Sequence, residues 1–288
     1  MPFDQSVLLW CVVAPAAIAA GAFVLGSLLD RILARSDRAK LGVLIFALGW
    51  WAAIATSLSA RLEWQLWPSE WWRDGLWPLL GWSFLCLGCL DEEDRSWRWM
   101  IVVLVAGLTA WICLPSGDDW TDLYHLHGPI GIVATLSLFA NTWSLDQMSR
   151  GGAERWVLLV ALASLGGPLT LAASCFASLT EWSVSMASAT AIFAIATIVY
   201  KQTTAWGLAG MIAAAGTCIT IAGRFQTYET HPVWLYALMF SLPSICASVD
   251  YFLRGRSGWM RVAVSAGLSA FVVGGLVWFL LIRETEPW

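Results

Sequence analysis

The sequence predicts an all-α polytopic integral membrane protein with about ten transmembrane helices. Three observations carry that expectation. Of 288 residues, 59% are hydrophobic and only 12% charged, against roughly a quarter charged in soluble domains. Apolar runs of about 20 residues recur along the chain, the length that crosses about 30 Å of hydrocarbon at 1.5 Å per residue. Tryptophan is over-abundant, 21 in all, and gathers beside the ends of those runs, where an indole buries its ring and keeps its N–H wet.

Taken in order, the first run covers 7–29. It follows MPFDQS, which lacks the positive start of a signal peptide, and it is too long for a signal core, so it is expected to stay as a span. The basic connector DRILARSDRAK leads to a span at 41–60, and the Trp-rich connector RLEWQLWPSEWWRD leads to a short one at 75–90 that stops at the acidic run DEEDR. A fourth span, 100–115, precedes the polar stretch SGDDWTDLYHLHGP. Spans at 129–145, 156–178, 182–200 and 204–223 follow, then 233–249 after RFQTYETHP and 262–282 after YFLRGRSGWMR. All ten form one transmembrane domain, 1–288, packed through small residues such as Gly21, Gly26, Gly207, Gly210, Gly274 and Gly275.

Orientation follows from the basic residues, which favour the cytoplasmic side. With ten spans, one side receives Arg31, Arg35, Arg38, Lys40, Arg95, Arg98, Arg150, Arg155, Lys201, Arg254, Arg256 and Arg261, and the other receives Arg61, Arg73, Arg224 and Arg283. Twelve against four, of sixteen, puts both termini on the non-cytoplasmic side of a cell (inner) membrane. If 75–90 dips in and returns, the alternation fails downstream. The net charge of -4 then describes loops and gives no reason to expect nucleic-acid binding. Seven cysteines, an odd number, lie in or beside apolar runs and read as small buried hydrophobes, including the C-x-x-C pair Cys86 and Cys89. No ionisable residue falls in the middle of a span, which argues against a proton pump built on a midplane carboxylate.

Three constellations are candidates for a site. On a short α-helix capped by Ser116 or Asp118 and running through Trp120 to about Leu126, Asp118, Asp122 and His125 share one face and Trp120, Leu123, Tyr124 and His127 another. With Asp119, Glu229 and His231 on the same outer side, this is a plausible half-site for a divalent metal or a general acid/base. The competing reading is a solvated acidic loop with interfacial histidines. The second constellation is backbone: Pro15, Gly166-Gly167-Pro168 and Pro243 interrupt spans one, six and nine. Paired interruptions at spans one and six suit a 5+5 inverted repeat around a transport pathway. The third is an aromatic platform of Trp64, Trp67, Trp71 and Trp72 on the outer connector. The leading expectation is a permease-like transporter of a small solute or amphiphile, more a carrier than an enzyme. An outer-leaflet enzyme with the Asp/His site and a non-catalytic subunit docking a partner through its Trp-rich face are the alternatives. The lipid bilayer is the one partner the sequence implies, with room for a partner protein or oligomer within it. Cofactor and metal are unknown from sequence.

Overall fold

In hydrocarbon a peptide N–H or C=O finds no water, so a chain crosses as helix or as a closed barrel. The computed structural model describes residues 5–32, 35–62, 74–88, 95–149, 155–200, 208–227 and 231–284, and those residues form helices and no strand. In chain order they are α1 (Ala14–Ile32), α2 (Arg35–Leu62), α3 (Leu76–Gly88), α4 (Arg95–Ile112), a 3₁₀ segment (Asp118–Leu126), α5 (His127–Met148), α6 (Val157–Cys175), α7 (Ala177–Val199), α8 (Leu208–Gln226), α9 (Val233–Phe252) and α10 (Gly258–Glu284). Ahead of α1 runs a wide π-helical turn, Leu8–Val13. It lies just before Pro15, whose ring would clash with a carbonyl of a regular preceding turn, and the wider turn relieves that clash.

Eight helical stretches are long and apolar enough to cross a membrane, so the chain is a multi-pass membrane protein. The other two expected spans, 75–90 and 100–115, are the shorter apolar helices Leu76–Leu85 and Trp97–Ile112. With 13 residues, α3 rises about 20 Å, less than the roughly 30 Å of a hydrocarbon core. Length and composition therefore support eight spans of the ten expected.

The helices alternate in direction all the same. We term the end that carries Asp118–Leu126 the upper end. There Arg61, closing α2, makes a two-pronged pair with Glu181 at the start of α7, Nη2–Oε1 at 2.8 Å and Nε–Oε2 at 3.2 Å, and also donates to Ser6 near the start of the chain. Gly75, just ahead of α3, packs on Trp182 and Cys113. At the lower end Arg98 of α4 meets Asp146 of α5 at 3.2 Å, Arg261 of α10 grips Asp250 of α9 with Nε–Oδ1 at 2.6 Å, and Trp156 beside α6 packs on Trp259 at 4.6 Å. α3 thus starts at the upper end, and α4 starts at the lower one.

The helix pairs do not follow a 5+5 repeat. α1 packs on α2 and α7, whereas α6 packs on α7, α8, α9 and α10. An inverted repeat would turn the α6·α8 contact into an α1·α3 contact, which is not among the substantial pairs.

At the centre stands α8, with 94% of its apolar window buried and α2, α3, α4, α5, α6, α7 and α9 around it. A helix apolar on every face is a buried helix. The small residues of α8, GMIAAAGTCITIAG, let seven neighbours approach. Its two threonines return their hydroxyls to its own carbonyls, Thr217 to Ala213 and Thr220 to Gly216. The periphery is the reverse: Phe271 is 80% and Trp278 68% exposed, an arrangement that suits lipid, not water. Of the expected packing glycines, Gly26 meets Phe46 and Gly210 meets Thr142 and Trp82, whereas Gly21, Gly274 and Gly275 have open space beside them; Gly207 lies outside the described residues. Closer approaches occur at Gly49 against Ala22 and Gly167 against Met239.

Asp146, Asp250, Arg98 and Arg261, read from sequence as connector residues, belong to buried end turns of α5, α9, α4 and α10. Removing one partner of such a pair strands the other charge, which costs about 3–5 kcal/mol, whereas replacing both with apolar residues is often near neutral. Asp250→Ala is therefore expected to lower thermal stability in detergent far more than the double variant Asp250→Leu, Arg261→Met, as read by unfolding midpoints.

Candidate functional site between α5 and α9

The Asp/His stretch opens at Gly117, whose φ of +112° lies in the left-handed region that glycine tolerates. Tyr124 closes the stretch by donating its hydroxyl to the Gly117 carbonyl at 3.0 Å. The segment is 3₁₀, not α, and the tighter three-residue period changes which side chains align. Asp119, Asp122 and His125 now share a face, while Trp120 and Leu123 turn toward the core. Asp118, Asp119, Asp122 and His125 are all exposed. His125 Nδ1 lies 2.8 Å from the Asp122 carbonyl, and Trp120 meets Phe225 of α8 edge-on.

The histidines separate. His127 is half-buried, edge-on to Phe225 at 5.5 Å and to Tyr124 at 4.8 Å. His231 Nε2 lies 3.2 Å from Ser174 Oγ of α6. Among the described residues no three of His, Cys, Asp and Glu come close enough to hold a metal. Glu229, the aromatic platform Trp64, Trp67, Trp71 and Trp72, and the side chains of Cys86 and Cys89 lie outside the described residues.

The prolines give a different pairing from the one expected. Pro15 sits in α1, apart from α6. Pro168 of α6 and Pro243 of α9 instead border one small buried hollow of about 10 Å³, with Asn141, Ser164, Thr217 and Met239 around it, room for about one water. Gly166 and Gly167 let neighbours close in beside Pro168: a Cβ on Gly166 would stand 3.2 Å from Val273 of α10, and one on Gly167 would run into Met239 of α9.

Asn141 holds this place together. Pro243 has no N–H to give, so the Met239 carbonyl loses its helical donor and the turn ahead of the ring is loosened. Asn141 Nδ2 donates to the Phe240 carbonyl at 2.8 Å, and its Oδ1 accepts from the Ser244 N–H at 3.1 Å and the Ser244 hydroxyl at 2.6 Å. One amide from α5 thus spans the proline position of α9, which runs as continuous helix from Val233 to Phe252.

Two larger hollows lie on the same pair of helices. The upper, about 230 Å³, is walled by Pro129 and Val133 of α5 and by Val233, Tyr236 and Phe240 of α9, with the Arg224 guanidinium 5.2 Å over the Tyr236 ring. The lower, about 300 Å³, is walled by Trp143, Ser144 and Gln147 of α5 and by Ser248, Tyr251 and Arg254 beyond. Between them runs a polar stripe: Asn141 and Ser144 on α5, Ser241, Ser244 and Ser248 on α9. Ser241 and Ser248 donate to carbonyls of their own helix, which satisfies each O–H and leaves the oxygen able to accept from a passing group.

Comparison with protein-family models, with curated proteins and with solved structures finds no match for this chain. Of the residues flagged from sequence, Pro168 and Pro243 come together, and Asn141, which none of the three constellations includes, joins α5 to α9 beside Pro243. The available signal was an Asn in one apolar run and a Pro in another; only the adjacency of α5 and α9 joins them. Asn141→Leu is expected to cost about 1–3 kcal/mol, because it leaves the Phe240 carbonyl and Ser244 without a partner. Thr142→Val, whose hydroxyl bonds its own helix at Leu138, is expected to cost about 1 kcal/mol or less; paired thermal melts in detergent compare the two.

Proposed function

We propose that the chain is a permease-like membrane protein that moves a small uncharged or amphiphilic solute along the seam between α5 and α9. The observation that carries this reading is proximity: an upper and a lower hollow open on the α5–α9 pair, and a water-sized hollow walled mostly by α6 and α8 lies behind Asn141 and Pro243. They approach one another where Pro168 and Pro243 lie inside two helices and Asn141 bonds across to α9. Interrupted helices facing a central hollow are the arrangement by which transporters free backbone groups for a solute. The bonds of Asn141 to Phe240 and Ser244 act as the constriction in this closed form, and their exchange for bonds to the solute opens it.

The same reading takes the upper end to face out of the cell, with α3 and α4 completing ten crossings and both termini outside. The basic residues support this, since Arg98, Arg254, Arg256 and Arg261 gather at the lower end. An outer-leaflet enzyme built on Asp118, Asp122, His125 and His231 has less in its favour, because the carboxylates stand in solvent and His231 turns to Ser174.

Cysteine accessibility tests both parts. Only a hydrated thiol ionises and reacts quickly, so Ser144→Cys and Ser241→Cys are expected to react with a membrane-impermeant thiol reagent about tenfold faster than the lipid-facing controls Leu136→Cys and Phe271→Cys. Equal, slow rates at all four positions overturn the seam. For orientation, Thr121→Cys is expected to label in intact cells and Ser257→Cys only after permeabilisation, and the opposite pattern inverts the molecule.

A further inference from the structure

We infer that the lower hollow between α5 and α9 is a binding site for the phosphate headgroup of an anionic phospholipid, with Arg254 as the phosphate ligand. The inference goes beyond transport along the seam and does not need it.

The mounting of Arg254 is the first reason. α9 ends at Phe252, and a tight turn follows, closed by Arg254 N–H to the Tyr251 carbonyl at 3.2 Å and Arg256 N–H to the Leu253 carbonyl at 3.0 Å. Gly255, at φ +95°, supplies the left-handed residue such a turn needs. The turn brings the Arg254 guanidinium back over the hollow, 4.3 Å from the Tyr251 ring centroid and with Nη2 3.4 Å from the Gln147 carbonyl. A guanidinium has five N–H donors in a planar fork that matches phosphate oxygens. Its contacts to Tyr251 and Gln147 fix its direction and use few of those donors.

Charge is the second reason. Asp250 borders the hollow and would repel a phosphate, but it is held by two prongs of Arg261. Asp146, nearby on α5, is held by Arg98. The carbonyls that end α9 are likewise engaged, since the Leu253 N–H donates to Asp250 and Val249. What the hollow presents to an anion is Arg254, with Arg256 exposed on the same turn, and the hydroxyl of Ser248 and the amide of Gln147 among its walls.

The shape selects a lipid over a free anion. The rim carries Trp143, Tyr251 and Phe252, which are 48%, 58% and 83% exposed, the aromatic belt that sits at headgroup level. At about 300 Å³ the hollow is at the bottom of the range of roughly 300–1,000 Å³ for drug-sized ligands. It has room for a headgroup, whose acyl chains then lie along the exposed surface of α5 and α9. Basic pockets between membrane helices are suited to such headgroups.

The test is retention of lipid by the purified full-length chain in detergent, measured by native mass spectrometry with phosphatidylglycerol and phosphatidylcholine of matched chains. The wild type is expected to retain phosphatidylglycerol about fivefold over phosphatidylcholine, the worth of one basic residue beside anionic lipid. Arg254→Gln is expected to bring the ratio to parity, and Arg256→Gln, one turn position outside the hollow, to leave it near the wild-type value. No preference in the wild type overturns the site. So does an equal loss in both variants, which would mean diffuse surface charge. Either failure leaves the seam standing, because cysteine reactivity at Ser144 and Ser241 reads a separate property.

Discussion

A carbonyl without a donor inside hydrocarbon is the constraint on which this structure turns. A proline within a membrane helix creates such carbonyls, and the chain places two prolines, Pro168 and Pro243, beside one another in its most enclosed region. The amide of Asn141, on a neighbouring helix, serves the turn around Pro243, donating to the Phe240 carbonyl and accepting from the Ser244 N–H and hydroxyl. That fixes α5 against α9 more specifically than apolar contact can, because lipid tails compete with apolar side chains on nearly equal terms. Around this contact the hydroxyls of Ser164, Thr217 and Thr142 fold back on their own helices. Elsewhere buried side chains also bond from helix to helix, Trp50 to Thr190 and Trp82 to Thr109 among them.

Packing against α8 depends on a complementary economy of size. Alanine, glycine and threonine leave its surface shallow, so larger residues on its neighbours fill the space: Leu165 and Pro168 over Gly216, Leu171 over Gly223, Trp82 over Gly210. Among the described residues ion pairs at the helix ends join segments far apart in sequence: the half-buried pair Arg61 with Glu181 and the buried pair Arg98 with Asp146. Each pair lies near the level where a bilayer becomes wet, so its desolvation is smaller than it would be at mid-depth.

Much of the architecture was legible from hydropathy, because a chain crossing lipid must be apolar for a set number of residues whatever its neighbours. The positions of α1, α2 and α5 to α10 were readable on that ground. Span three is described as helix from Leu76 to Gly88, and the rest of its expected run, 89–90, lies outside the described residues. The end-turn carboxylates were assigned to connectors because hydropathy cannot tell an aspartate in solvent from one gripped by arginine, as Asp250 is by Arg261. The face of the Asp/His stretch was drawn with an α period, and a 3₁₀ period replaces Asp118 by Asp119 in line with Asp122 and His125. Pro15 and Pro168 were paired by symmetry of position, a relation that the packing of α1 and α6 does not share. The meeting of Asn141 with Pro243 is a fact of adjacency across about a hundred residues, and no local pattern encodes it.

The burial of α8 bears on how the molecule can move. A helix packed on seven neighbours through small side chains has no direction in which to slide alone in a close-packed interior. Any rearrangement that widens one flank must carry several helices together as a body.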